Sequence, residues 1–197
     1  MRIGVLSMQG GIEEHLRVFS RIGVDAHRVK TQEHIALSDG FIFPGGESTA
    51  MIKLIETNGL EEPLRKRIVE EKVPVYGSCA GMVLLSRRIT NYPQQKTLGF
   101  MDIEVCRNAF GRQLDSFEED LVLEGWGGNP IRAIFIRAPI IERRGPQVQI
   151  LAKSTKGAVM AVQDQMLVTS FHPELTGDYR VHHFFLGMVE DWLSTHR

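Results

Sequence analysis

Val75-Tyr76-Gly77-Ser78-Cys79-Ala80-Gly81-Met82 is an apolar run that ends in a glycine, with a cysteine two residues later and another glycine two after that. From Ala80 the pattern turns helical through Met82, Val83, Leu84 and Leu85, followed by Ser86 and the basic pair Arg87-Arg88. The stretch reads as strand, tight turn and helix, with Cys79 in the turn. G-x-C-x-G has the mechanical form of the G-x-S-x-G nucleophile elbow. The glycines let the backbone fold sharply and keep side chains away from the nucleophile. The sulfur then sits at the positive end of the helix that follows. A cysteine packing as a small hydrophobe fits the same residues, so the rest of the chain has to decide.

Upstream, residues 3–8 are short and apolar, like a buried parallel strand. Gln9-Gly10-Gly11 breaks the run. Ile12, Leu16, Phe19 and Ile22 are then spaced for one face of a helix that Gly23 ends. Residues 24–30 read as a second strand and Phe41-Ile42-Phe43 as a third. Pro44-Gly45-Gly46-Glu47-Ser48-Thr49 follows, then a helix over 50–57, a charged helix over 61–71, and the strand 73–76 that enters the elbow. Alternating β and α predicts an α/β fold, a mostly parallel central sheet with helices on both faces. Ligands bind such sheets beyond the C-terminal ends of the strands. The loops 9–11, 44–49 and 77–81 all fall there.

Downstream the pattern changes. Residues 98–105 alternate as a half-buried strand does, and strand-like runs recur at 121–123, 131–136, 148–152, 158–162 and 166–170. They predict an antiparallel extension of the sheet, ended by Thr169-Ser170-Phe171-His172-Pro173-Glu174. A last helix over 179–193 puts Val181, Phe184, Phe185, Met188, Val189 and Trp192 on a core-facing stripe.

Composition narrows the function. A chain of 197 residues reads as one domain, 1–197, long enough to bury a core without staples. A net charge of −1 offers no field for nucleic acid. Cys79 and Cys106 are too few for a disulfide framework, and Cys106 reads as packing. The N-terminus enters a strand directly, without a signal-peptide pattern. No apolar run approaches the roughly 18 residues of a membrane span. These features predict a cytoplasmic protein with neither a membrane nor a nucleic-acid partner.

A nucleophilic cysteine needs a base, and the base an orienting group. His15, His27, His34, His182, His183 and His196 read as surface or packing residues, and no Cys/His cluster has zinc spacing. His172 differs. It follows an apolar strand, and Pro173 keeps it extended. Glu174, two residues on, then points to the same side. The carboxylate can hold one imidazole nitrogen while the other faces the Cys79 thiol, which is the logic of a catalytic triad. Gly45 and Gly46 let backbone N–H groups approach a substrate and, with the N–H of Ala80, meet a developing oxyanion. No G-K-[ST] follows, so this is not a phosphate loop.

Together these residues resemble the triad, or class I, glutamine amidotransferases. Finer stretches narrow the resemblance: Arg107-Asn108-Ala109-Phe110-Gly111-Arg112-Gln113, Asp115-Ser116-Phe117-Glu118, Phe135-Ile136-Arg137-Ala138-Pro139 and Ser170-Phe171-His172-Pro173-Glu174-Leu175-Thr176. With the elbow and Pro44-Gly45-Gly46-Glu47-Ser48-Thr49, they are similar to the family of glutaminase subunits of pyridoxal 5′-phosphate synthase, over nearly the whole chain. The resemblance implies a flavodoxin-like glutaminase fold and hydrolysis of L-glutamine to L-glutamate and ammonia. It implies Cys79, His172 and Glu174 as the triad, and Gly46 with Ala80 as the oxyanion hole. Substrate contacts map onto Gly46, Glu47, Ser48, Arg107, Ile136 and Arg137. It implies no cofactor and no metal. The implied partner is a synthase subunit, a dodecameric core decorated by glutaminases that stay latent until docked. An oxyanion hole incompletely formed in the free subunit accounts for such latency, so a peptide near Gly45-Gly46 is expected to change orientation on docking.

The elbow and His172-Pro173-Glu174 by themselves also fit a glutaminase for another synthase, such as those of imidazole glycerol phosphate or anthranilate. They fit a cysteine hydrolase on a similar fold, or a silent binding module. The 107–113 and 115–118 stretches argue against the first, and Glu174 argues against the second. Nothing favours the third, since all three triad residues are present.

Overall fold

Short apolar runs separated by amphipathic helices build one mixed sheet with helices on both sides. The computed structural model describes residues 1–110 and 116–196. In chain order the elements are β1 (Arg2–Leu6), α1 (Ile12–Arg21), β2 (Asp25–Val29), α2 (Gln32–Ala36), β3 (Gly40–Phe43), α3 (Ser48–Thr57), and α4 (Glu61–Arg65) running into a π turn (Lys66–Glu70). Then come β4 (Val75–Ser78), α5 (Ala80–Leu85), β5 (Ser86–Ile89), β6 (Met101–Cys106), β7 (Ser116–Leu121), β8 (Ile131–Ile136) and β9 (Ile140–Arg144). The chain ends with β10 (Gln149–Ser154), β11 (Gly157–Gln163), β12 (Met166–Thr169), a 3₁₀ turn (Pro173–Leu175) and α6 (Arg180–His196).

The main sheet runs β2-β1-β3-β4-β12-β11-β9-β6-β5, with β10 also paired to β11. The pairs β2-β1, β1-β3, β3-β4 and β4-β12 are parallel. The pairs from β12 to β6 are antiparallel, and β5 joins β6 in parallel at the far edge. β7 and β8 form a separate antiparallel pair.

Strand alternation sorts the core into two layers. Phe41, Phe43, Val75, Met166 and Val168 face α3, α4 and α5, packing on Met51, Ile55, Leu64 and Leu84. Ile3, Val5, Ile42, Tyr76 and Leu167 face the other way, onto Phe19 of α1, Phe185 and Val189 of α6, and Phe135 of the small sheet. The expected α/β sheet with helices on both faces is therefore present, and the antiparallel extension with it.

Four local details sharpen these expectations. The final strand pairs on both sides: antiparallel to β11, within the expected extension, and parallel to β4, in register Met166↔Val75 to Thr169↔Ser78. The helix after the elbow stops at Leu85, where Ser86 Oγ donates to Val83 O and the backbone turns extended. Arg87 and Arg88 therefore lie on strand β5, paired with Asp102 and Glu104. The strand expected at 121–123 is β7, Ser116–Leu121. Its acidic residues hide it in sequence, whereas in the fold Arg132 of β8 pairs with both Glu118 and Asp120. The helix expected from 50 begins at Ser48, because the Glu47 carboxylate accepts the N–H of Thr49 and Ala50 as its N-cap. Short, charged α2, β5 and β9 carry no periodicity long enough to read.

Candidate active site

The site lies beyond the C-terminal ends of β1, β3, β4 and β12. Cys79 follows β4 with φ 48° and ψ −100°, a strained conformation outside the helix that begins at Ala80. Its N–H donates to Thr169 O at 2.7 Å, tying the elbow to the end of β12. The glycines are there for space. A Cβ on Gly81 would overlap the Phe43 carbonyl, and one on Gly77 would come within 2.6 Å of the Gly81 carbonyl carbon. Helix α5 can thus press onto β3 and β4 only with glycine at both positions.

Because β12 runs parallel to β4, the chain leaving it delivers His172 to the sulfur. His172 and Cys79 line one cavity, the Cys79 thiol donates to Ile136 O at 3.7 Å, and His172 Nδ1 lies 2.7 Å from Glu174 Oε1. The imidazole is anchored through its backbone, whose N–H donates to Ile134 O at 2.9 Å. Cys79, His172 and Glu174 are all buried. Burial opposes a charge on His172, but the neighbouring Cys79 sulfur and the Glu174 carboxylate, which is hydrogen-bonded to Nδ1, raise it to about 10. Burial alone would raise Glu174. His15 and His172 lower it instead, to about 2.

The Pro44-Gly45-Gly46 loop packs against this imidazole, and a Cβ on Gly45 would overlap His172 Cε1. Gly45 O accepts from Gly11 N–H at 2.9 Å, and Gly10, at φ 102°, leaves no room for a side chain against it. Gly45 N–H donates to Ser78 Oγ at 3.1 Å, and Glu47 N–H to Gln9 Oε1 at 2.6 Å. The N–H groups of Gly46 and Ala80 have no hydrogen-bond acceptor among the described residues.

A cavity of about 360 Å³ opens here, lined by Gly46, Glu47, Ser48, Cys79, Ala80, Arg107, Ile136, Arg137, His172 and Glu174 among others. Every residue expected at the site from sequence thus meets in one place. Two of them differ in how free they are. Arg107 bonds Gln95 Oε1, Thr49 Oγ1 at 3.3 Å and Glu47 Oε1 at 3.2 Å. Partial burial opposes charge on Glu47, but the N–H groups of Ala50 and Thr49 and the Arg107 guanidinium keep it below the usual range. Arg137, at φ 43°, has no ion-pair partner among the described residues. Gly111, Arg112, Gln113 and Asp115 lie outside the described residues. A larger concavity, about 560 Å³, lies on the antiparallel side around Ile141, Arg144, Val148 and Lys153. It brings no cysteine and histidine together.

Sequence reasoning missed His15 and His182. Both are fully buried, beside the triad. His15 Nε2 lies 3.2 Å from Ser78 Oγ and 3.6 Å from Glu174 Oε1. His15 Nδ1 lies 3.2 Å from His182 Nε2. Burial lowers His15 and takes His182 to about 3, so both are neutral. His15 therefore acts on Glu174 as an N–H dipole, and His172 carries the compensating charge. The available signal was position: His15 follows Ile12 by three residues on a helix whose apolar face is buried. Cys106 is half-buried, and burial and Glu142 push its thiol up. Among the described residues no His, Cys, Asp and Glu group is arranged to hold a metal ion, and no helix is long and apolar enough to cross a membrane.

Comparison with known proteins agrees with this geometry. The model of the SNO glutamine amidotransferase family matches residues 5–191. The chain is 51% identical over 189 residues to pyridoxal 5′-phosphate synthase subunit PdxT of Carboxydothermus hydrogenoformans, covering 96% of this chain and 98% of that one. It is 50% identical to the subunit of the same name from Kosmotoga olearia, over 96% and 98% of the two chains. A crystal structure described as a glutamine amidotransferase superposes with a TM-score of 0.90 at 42% identity, covering 95% of this chain and 98% of that chain.

Proposed function

The chain belongs to the SNO glutamine amidotransferase family, and from that premise we propose that it hydrolyses L-glutamine as the glutaminase subunit of a pyridoxal 5′-phosphate synthase. The observation that carries the reading is the buried line of Cys79, His172 and Glu174 at the wall of an open cavity.

In this mechanism the Cys79 sulfur attacks the side-chain amide carbon of glutamine. The carbonyl electrons move onto oxygen, where the N–H groups of Gly46 and Ala80 receive them. Each such donor contributes on the order of 10²-fold or more in rate. His172 gives a proton to the amide nitrogen, the C–N bond breaks, and ammonia leaves a γ-glutamyl thioester. Water then attacks the thioester while His172 takes its proton. The C–S bond breaks, the sulfur returns to its starting state, and glutamate departs. Glu174 keeps the imidazole in one orientation and balances its charge throughout. The open cation Arg137 suits the substrate carboxylate. Arg107, held by Glu47, Gln95 and Thr49, organises the rim. No cofactor is needed.

The ammonia goes to a synthase subunit seated over the mouth of the cavity, in a dodecameric core decorated by glutaminases. The exposed apolar side chains of Ile136 (37%) and Leu175 (44%) beside that mouth support a docked partner. Docking turns a peptide at residues 45–46 and completes the oxyanion hole. The carbonyl of that peptide, Gly45 O, accepts the N–H of Gly11 at 2.9 Å, the bond such a turn would break.

Glutamate release from L-glutamine, by the chain alone and with its synthase, tests the reading. Strong stimulation by the synthase, abolished in Cys79→Ala, is expected, with synthesis from ammonium salts surviving that substitution. Full activity of the free chain without stimulation would remove the docking part. No activity in either setting would remove the whole.

A further inference from the structure

Beside the triad lies a buried group of side chains that the proposed mechanism does not use. His15 on α1 and His182 on α6 are 0% exposed and touch through ring nitrogens 3.2 Å apart. The same His15 ring reaches Glu174 of the triad and Ser78, the residue before the nucleophile. Ser78 in turn accepts the N–H of Gly45 in the glycine loop. One imidazole therefore sits at the junction of the three loops that build the site. Tyr76 and Phe19 pack edge-on around the pair and hold it in place.

We propose that His15 is a positioning residue for glutamine hydrolysis, its Nε2–H holding the Glu174 carboxylate and the Ser78 hydroxyl, with His182 setting its tautomer. This rests on the glutaminase reading of the site. The tautomer follows from charge. A lone pair on Nε2 would face the carboxylate oxygen 3.6 Å away and be repelled, whereas an N–H is attracted. With the proton on Nε2, Nδ1 is an acceptor and takes the N–H of His182 Nε2. That leaves His182 Nδ1 as a bare lone pair, and this atom is buried without a partner. The opposite tautomer would strand a buried N–H there, the costlier outcome. Outer groups that fix the tautomer of a metal-bound histidine matter for activity by about 10–100-fold, and the same order is expected for a group that holds a triad carboxylate.

The groups facing this junction are Glu14 of α1, Tyr76 of β4, Cys79 of the elbow, His172 just before the 3₁₀ turn and Glu174 within it, and His182 of α6. Among them Glu174 is the group whose charge His15 supports. Loss of the N–H donor raises the pH at which Glu174 takes up a proton. The acid limb of kcat/KM then moves to higher pH.

The test uses the glutaminase–synthase complex and three variants. His15→Leu is expected to lower kcat about tenfold or more with KM nearly unchanged, and to shift the acid limb upward. His15→Gln, which keeps an N–H donor, is expected to recover most of the rate and return the limb toward its parent position. A folded His15→Leu with parent kcat and an unmoved limb would overturn the proposal, as would a His15→Gln no better than His15→Leu. Should His15→Leu fail to fold, His182→Phe decides. It keeps the packing but removes the nitrogen that sets the tautomer. A several-fold loss of kcat supports the proposal, and parent kcat overturns it. Cys79→Ala in the same assay checks the glutaminase reading separately, so the two can fail independently.

Discussion

Two glycines show how differently the same substitution acts at this site. A methyl on Gly81 meets the Phe43 carbonyl, which is backbone and cannot step aside. Gly81→Ala should therefore cost about 3 kcal/mol or more, read as a lower urea midpoint. A methyl on Gly45 meets only the imidazole edge of His172. Gly45→Ala should leave the urea midpoint nearly unchanged while glutamate release falls by about 100-fold or more, because a small misplacement of a reacting group is that costly. If Gly45→Ala unfolds the chain and Gly81→Ala does not, the assignment of one glycine to packing and the other to chemistry is wrong. The two arginines divide in the same way. Arg137→Ala should raise KM for glutamine more than Arg107→Ala does, because Arg107 already spends its donors on Glu47, Gln95 and Thr49.

At the level of elements, β12 does the decisive work. Its parallel pairing to β4 puts its end beside the elbow, so that Thr169 O accepts the Cys79 N–H and the chain emerges at the sulfur. Thr169 Oγ1 also bonds Tyr76 OH at 2.8 Å and donates to Phe171 O at 2.9 Å, all fully buried. Thr169→Val keeps the shape and strands the Tyr76 hydroxyl. It should destabilise the chain by about 1–3 kcal/mol, measured by urea unfolding. It should also lower kcat, since the segment carrying His172 loses its anchor. A variant as stable and active as the parent would mean that main-chain pairing alone holds β12.

Over the whole molecule, the buried histidines and the triad set how stability depends on pH. His182 is lowered from 6.5 to about 3, so between those values the unfolded chain takes a proton that the folded chain refuses. Stability from that group falls as pH drops below 6.5. Glu174 is lowered from 4.5 to about 2, and its contribution is lost as pH falls through that lower window. His172 has the opposite sign. Raised from 6.5 to about 10, it contributes fully below 6.5 and loses its contribution as pH rises toward 10. The melting temperature should therefore peak near neutral pH and fall on both sides. His182→Phe should flatten the upper part of the acid side, and an unchanged acid slope in that variant would count against a neutral buried His182.

The sequence by itself determined the alternating β and α pattern, the elbow at Cys79, the His172-Pro173-Glu174 turn and the glycine loop at 44–46. Each is written in local spacing: apolar runs of strand length, helical periodicity, and glycine or proline where the backbone must turn. Only the tertiary structure decided the rest. That β12, besides joining antiparallel β11, returns to β4 depends on pairing between residues about 90 positions apart, which no local period encodes. The strands β5, β7 and β9 were hidden because their charged residues are neutralised by partners on other strands, such as Arg132 for Glu118 and Asp120. His15 and His182 looked like ordinary helix residues because their meaning lies in what they touch across the sheet. Burial made them neutral, and neighbours far along the chain gave them a role, since a side chain's charge state is set by its surroundings in space.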